Sequence, residues 1–236
     1  SEREKLKKGI YKVFINAKFE PGKMHYGEIF IKGKLKKEIF FSTYICHPSM
    51  ANNELSGMLV ASALSKLIRK SKYSLRILLI PETIGAIYFI HKFRKHLQNN
   101  LVAGFNLSCL GDDKTYSFLP SRNGQTLSDK VALKVIKTRG QNFKIYNWNH
   151  RGSDERQYCA PGIDLPISSL MRSRYGEYKE YHTSLDKLGT VVTKKGLEES
   201  YKLIKDCINM LENSFRPKCK ILCEPFLSKR NLYLSK

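Results

Sequence analysis

The sequence predicts an α/β protein built on a mixed, mostly parallel sheet, and three observations carry the prediction. Strand-forming runs alternate along the chain with stretches whose apolar residues recur at helical spacing. The run over residues 74–80, Ser-Leu-Arg-Ile-Leu-Leu-Ile, is nearly all apolar, as a strand covered on both faces should be. A strand, a helix and this buried strand follow one another from residue 38 to residue 80, which makes a crossover unit and so parallel pairing.

In order, residues 1–25 are a lead-in, charged at first and then a strand over 10–19 closed by the turn Pro21-Gly22. A second strand spans 26–31, the basic turn Lys32-Gly-Lys-Leu-Lys-Lys37 follows, and a third strand spans 38–46; the three are expected as a meander whose last strand enters the core. Leu55, Met58, Leu59, Leu64, Leu67 and Ile68 mark a helix over 55–69 with basic residues in its last turn. After the strand over 74–80, the tip Pro81-Glu82-Thr83 leads into a helix over 84–97. A central strand over 102–110, a short peripheral strand over 115–119, a helix over 127–139 and an edge strand over 143–147 come next. Residues 150–158 read as an irregular polar segment, and a turn over 160–166 leads to a strand over 167–171. A loop rich in charge and tyrosine precedes His182, and Thr193 is the expected N-cap of a long helix to about residue 215. Residues 26–216 are expected to be one catalytic domain and 217–236 a tail or linker. The start at Ser1, without an initiating Met, is read as the start of a piece of a longer protein.

Of 236 residues, 42% are hydrophobic and 11% aromatic, ample for a core, and 27% are charged. No apolar run approaches the roughly 20 residues of a membrane helix and no signal peptide opens the chain, so a cytoplasmic protein is expected. None of the six cysteines forms a CxxC, which favours reduced thiols, and Cys219 with Cys223 are read as two ordinary thiols. The formal charge of +21 comes from lysines scattered through every segment without a nucleic-acid motif. No specific nucleic-acid partner is expected, which leaves a general attraction to anionic polymers or membrane surfaces.

The chemistry-bearing residues sit at strand ends: His47 with Asn53 and Glu54, then Glu82, Ser108, Asp154 and His182. In an open α/β sheet the carboxyl ends of parallel strands share one edge, so these residues can meet there. Two imidazoles and several carboxylates suit a zinc ion, and a further carboxylate can take a proton from metal-bound water, whose pKa falls towards ~7. Each has a plain alternative: His47 bonded to backbone in a tight turn, His182 solvated in a loop, Asp154 and Glu155 solvated likewise. Glu82 ends a wholly apolar strand, where an idle carboxylate is costly unless paired. His25, His91, His96 and His150 read as surface residues.

The succession of His47, Ala51-Asn-Asn-Glu-Leu-Ser-Gly57, Glu82, Ser153-Asp154 and Tyr181-His-Thr-Ser-Leu-Asp186 resembles the zinc-dependent aminopeptidases and glutaminyl cyclase. Thr43 through Gly57, Pro81-Glu-Thr-Ile-Gly85 and Cys223-Glu-Pro225 look more closely like a bacterial family of aminopeptidase-like domain proteins of uncharacterised function, often linked to surface polysaccharide biosynthesis. The resemblance, running from about Tyr26 to Tyr233, implies a three-layer α/β/α zinc-exopeptidase-like fold and hydrolysis of an amide in a small-molecule or peptide-like substrate. It implies Glu82 as the general base and His47, His182 and Asp154 or Glu54 as ligands of one zinc ion. Asn53, Thr83 and Ser108 stand where the aminopeptidases carry acidic ligands, which argues against a two-zinc centre. Asp186 is expected to orient His182, and Asn53 and Arg122 to serve substrate binding or support. The Asn53-Glu54 peptide is expected in the cis form by the same resemblance. The alternative is an inactive module on the same fold that binds a small molecule or glycan precursor.

Overall fold

The computed structural model describes residues 2–66, 71–139, 142–215 and 217–233. Its centre is a seven-stranded sheet: β1 (Gly27–Ile31), β2 (Glu38–Tyr44), β3 (Ser74–Ile80), β4 (Leu101–Leu107), β5 (Tyr116–Leu119), β6 (Phe143–Ile145) and β7 (Ile167–Met171), in the order β1-β3-β2-β4-β7-β5-β6. β3, β2, β4 and β7 are mutually parallel, while β1 pairs antiparallel with β3 and β5 antiparallel with β7. All seven residues of β2 are buried, Glu38 at its start among them, as in a strand covered on both faces.

Helices cover both faces. On one side α1 (Ser56–Ser65), α3 (Leu127–Thr138) and α5 (Lys194–Asn213) pack Val60, Leu64, Val135, Ile204 and Leu211 against Phe41, Ile77 and Phe105. On the other, α2 (Ile84–Asn100) and the single turn α4 (Glu155–Tyr158) pack Phe89, Leu97 and Tyr158 against Phe40, Leu78 and Ile167. The period-two alternation of β2 thus feeds two cores at once, Phe40 to one and Phe41 to the other. The expected three-layer fold is the one observed. Thr126 caps α3 in a reciprocal pair with Asp129, and Thr193 caps α5 by accepting the Gly196 N–H at 2.9 Å.

Four sequence expectations are corrected. Residues 10–19 form no strand: Ile10, Val13, Phe14 and Phe19 are exposed, and these residues take part in no sheet pairing. The meander is absent, since β3 inserts between β1 and β2 and gives β2 two parallel neighbours. The polar segment 150–158 contains the turn α4, with Glu155 and Tyr158 buried. The helix expected over 55–69 is α1 preceded by a π-helical turn over Ala51–Leu55; Leu67, Ile68 and Arg69 lie outside the described residues, as do residues 234–236 of the expected tail.

Candidate functional site at the carboxyl edge of the sheet

The parallel strands deliver their ends to one edge, and the backbone there is forced into unusual conformations. Ser49 follows β2, Thr83 follows β3, Cys109 follows β4 and His182 lies beyond β7; all four have positive φ (67°, 64°, 51° and 53°). For a β-branched residue such as Thr83 this is a costly conformation, and such strain concentrates at functional sites. Thr83 is held in it by its N–H, which donates to Asp154 Oδ1 at 2.7 Å.

After β2 the chain turns at Ser49 and closes the π-helical turn, with the Leu55 N–H reaching Met50 O at 3.1 Å. The turn is clamped by Asp186. Its carboxylate accepts the N–H groups of Asn52 (2.5 Å) and Asn53 (3.0 Å) and the Tyr178 hydroxyl (3.1 Å), while its carbonyl accepts the Ala51 N–H (3.0 Å). The expected contact of Asp186 with the His182 ring is therefore replaced: the carboxylate is occupied by backbone donors that an open turn would otherwise leave unpaired. No cis peptide occurs among the described residues, so Asn53-Glu54 is trans and that expectation is corrected too. Immediately after the turn, Gly57 lets α1 approach so closely that a Cβ would stand 2.5 Å from Thr43 Oγ1 and 2.9 Å from Leu107 O.

His47 is at the middle of the cluster. Its Nδ1 lies 3.6 Å from Glu54 Oε2 and 3.4 Å from Cys46 Sγ, and its backbone N–H donates to the same Glu54 oxygen. Its Nε2 lies 3.8 Å from Glu82 Oε2, and its ring sits 5.2 Å from that of His182, which stacks on Tyr181 at 3.9 Å. A carboxylate beside Nδ1 favours a hydrogen on that nitrogen, which turns the Nε2 lone pair towards Glu82 and His182. Glu82 in turn accepts the Ser153 hydroxyl on Oε1 at 2.5 Å, and its N–H points to Cys46 Sγ at 3.2 Å. Cys46 is exposed, yet partial desolvation and the charges of Glu82, Glu54 and Asp154 push its thiol up, and burial raises Glu54 despite the His47 N–H.

Asp154 is fully buried; burial, together with the charges of Glu82 and Glu155, pushes its carboxyl up to about 7 against the pull of the Thr83 N–H. Its Oδ2 has no hydrogen-bond partner, and neither has Asn53 Oδ1, whose amide nitrogen is committed to the Tyr44 hydroxyl at 2.8 Å. Two buried, unpartnered oxygens on the residues that adjoin the His47 cluster, together with its imidazole and carboxylates, are a donor set of the kind a single divalent cation takes. They do not fit a pair of ions, which needs a shared carboxylate, because Asn53, Thr83 and Ser108 are uncharged. Within about 4.8 Å of one another, the His, Cys and acidic groups that gather among the described residues are Cys46, His47 and Glu54.

His47, Glu54, Glu82 and His182 are thus brought into one cluster, with Asn53 joined to it through Tyr44 and Asp154 through Thr83. Arg122 is not part of it. Its guanidinium bonds the Cys159 carbonyl and the Asp164 carboxylate, beside the start of β7 and so at the opposite edge of the sheet, where an exposed arginine finds the nearest acid. Sequence reasoning overlooked Cys46 and Ser153, although each adjoins a residue it selected. It also missed Glu155, whose fully buried carboxylate accepts from Gly152 N, Ser153 N, Asn106 Nδ2, Ser169 Oγ and Tyr175 OH and so fixes the loop that carries Ser153 and Asp154.

A family model described as "Domain of unknown function (DUF4910)" matches residues 10–214. A Clostridium acetobutylicum protein, provisionally described as a polysaccharide biosynthesis protein with an aminopeptidase-like domain, is 41% identical over 232 residues, covering 94% of this chain and 51% of its own. A crystal structure of a C. acetobutylicum protein provisionally described as a peptidase superposes with a TM-score of 0.78 at 39% identity, covering 87% of this chain and 49% of that one. The Bacillus subtilis zinc aminopeptidase BSAP (TM-score 0.64, 13% identity, 80% and 50% coverage) and an aminopeptidase from Aneurinibacillus sp. strain AM-1 (0.66, 15%, 85% and 49%) share the fold. The chain spans about half the length of the relatives it matches.

Proposed function

The chain belongs to the DUF4910 family of aminopeptidase-like domains, and from that premise we propose that it is a zinc-dependent hydrolase cleaving an amide or peptide bond, acting in surface polysaccharide biosynthesis. The observation that carries the reading is the His47 ring, whose Nε2 lies 3.8 Å from the Glu82 carboxylate and whose centroid lies 5.2 Å from that of His182. In this reading His47 and His182 hold one zinc ion, and Asp154 Oδ2 or Glu54 completes the set. Where Asp154 completes the set, Glu54, which lies on the Nδ1 side, would instead fix the His47 ring. Zinc, when bound, supplies a lowered water pKa and a polarised substrate carbonyl. Glu82 takes the proton from the attacking water at Oε2, while Ser153 holds Oε1 so that the free oxygen faces the reacting atoms. Asn53 and Tyr44, bonded to each other beneath His47, support the site from the buried side. The catalytic unit is proposed as residues 26–216, with 1–25 and 217–236 as lead-in and tail, and the six free thiols suit a cytoplasmic setting.

The test is metal analysis of protein purified without chelator, paired with a screen of aminoacyl and acetylated-sugar amides. A single zinc ion per chain is expected, lost in both His47→Ala and His182→Ala, with amide cleavage abolished in Glu82→Gln. Zinc retained in both histidine variants would falsify the ligand assignment. The uncharged Asn53, Thr83 and Ser108 favour a second reading, a non-catalytic module that binds a small amine or glycan precursor. Zinc-free protein that binds such a ligand equally well in Glu82→Gln supports it.

A further inference from the structure

α2 starts two residues after Glu82, and its outward face is built in two parts. The first turns expose three large apolar side chains, Ile84 (64% exposed), Ile87 (50%) and Tyr88 (41%), where solvent contact is unfavourable. The next turns expose His91, Lys92, Arg94 and Lys95. The sequence of the helix, IGAIYFIHKFRKHLQNN, contains no acidic residue to neutralise them. At 100° per residue all seven side chains fall on one side, opposite Phe89 and Leu97, which enter the core. Beside the helix runs an open cleft of about 780 Å³, with Ile87, Ile90, His91 and Arg94 on one wall and Gln157 and Ile163 on the other. A surface of apolar groups followed by cations matches the acyl boundary and the negative headgroups of an anionic bilayer. A soluble polyanion would use the cations and leave the apolar turns in water. No described helix is long and apolar enough to cross a membrane, so the contact is one of lying on the surface.

We propose that the outer face of α2 docks the protein onto an anionic lipid surface, with Ile84, Ile87 and Tyr88 entering the acyl boundary and Lys92, Arg94 and Lys95 meeting the headgroups. Because α2 leaves the sheet at the edge that carries His47 and Glu82, docking turns that edge towards the headgroup layer. The inference does not depend on the proposed hydrolysis and is read without turnover.

The experiment is sedimentation of the whole chain with vesicles of phosphatidylcholine alone and of equal parts phosphatidylcholine and phosphatidylglycerol, with soluble polyglutamate as a parallel probe. Binding to the anionic vesicles only is expected. Ile87→Ser with Tyr88→Ser should weaken it about tenfold while leaving polyglutamate binding unchanged. Lys92→Glu with Lys95→Glu should weaken both by at least as much, whereas Lys130→Glu with Lys134→Glu on the opposite layer should leave vesicle binding near that of the parent. All substituted positions are on the surface, and unchanged thermal unfolding of each variant confirms its fold. No vesicle binding, equal loss in the α3 control, or indifference to Ile87→Ser with Tyr88→Ser overturns the proposal. So does a dimer of the parent chain that those two substitutions dissociate, since the face then belongs to a second copy.

Discussion

The Ser153 hydroxyl donates to Oε1 of Glu82 at 2.5 Å, across 71 residues of sequence, and so restrains the carboxylate proposed as the base. Removing one donor to a charged acceptor costs about 1.5 kcal/mol, roughly a tenfold change in rate if the bond holds the reactive geometry. Ser153→Ala is expected to lower kcat about tenfold with little change in KM, and Ser153→Thr to restore most of it. Steady-state kinetics on any amide the protein cleaves would show this; a change in KM alone would contradict it.

Asp186 satisfies three backbone donors of the turn that presents Asn53 and Glu54. Two of these bonds go to its carboxylate, so Asp186→Ala strands two buried N–H groups and should cost about 3 kcal/mol. Denaturant unfolding measures the loss. On the proposed zinc site the same variant should also lower the zinc content, a paired decline expected if the clamped turn carries a ligand.

Gly57→Ala forces a methyl group against Thr43 Oγ1 and the Leu107 carbonyl. Overpacking of this kind costs about 2 kcal/mol. Adding Thr43→Ala should recover part of the loss, because one obstacle is a side chain, but not all, because the other is backbone. Comparison of the two unfolding midpoints decides it.

Away from the site, Glu38 is almost fully buried between β2 and β3, accepting from Arg76 Nε and Nη2 at 2.8 and 3.0 Å with His96 Nε2 at 2.7 Å. Burial alone would raise its carboxyl, but the bonds from Arg76 and His96 outweigh it and hold it below 4.5. The unfolded chain therefore binds the proton more tightly, and this contribution to stability is present above about pH 4.5 and disappears as the pH falls through the lower folded value. Glu38→Gln should be less stable than the parent at neutral pH, with the gap narrowing below that point. Urea midpoints across the acid range check the sign; a gap that widens on acidification would reverse it.

The layers of the fold were legible because their signals are local. The seven strand-forming runs that became strands, the nearly all-apolar one over 74–80 among them, and the cap at Thr193 each report on a few neighbouring residues. Residues 10–19 carry the same strand-forming composition, yet whether a strand forms depends on a partner edge that composition does not encode. The swap that put β3 between β1 and β2 was hidden for the same reason, since pairing order is a property of the whole chain.

At the site, the strand-end rule selected His47, Glu82 and His182 from position alone, and the structure groups them. Arg122 lay beyond the reach of that rule and sits at the other edge beside Asp164. Glu155 was passed over because an acidic residue in a polar loop reads as solvated; two of its five donors are in its own loop, but the other three come from β4, β7 and the loop after β7, and no spacing announces them. The clamp by Asp186 was misread for a related cause: a carboxylate four residues from a histidine suggests the histidine, whereas the nearer claim came from a turn far back in the chain.

The distance of that clamp matters for how the protein is made. Asn52 leaves the ribosome 134 residues ahead of the carboxylate that receives its N–H. Strands β2 and β3 and the helices between and after them can collapse early, but the presenting turn stays open until the loop after β7 has been synthesised and brought home. The turn that presents Asn53 and Glu54 is therefore completed only when Asp186 has docked, so its closure reports on the arrival of the segment after β7.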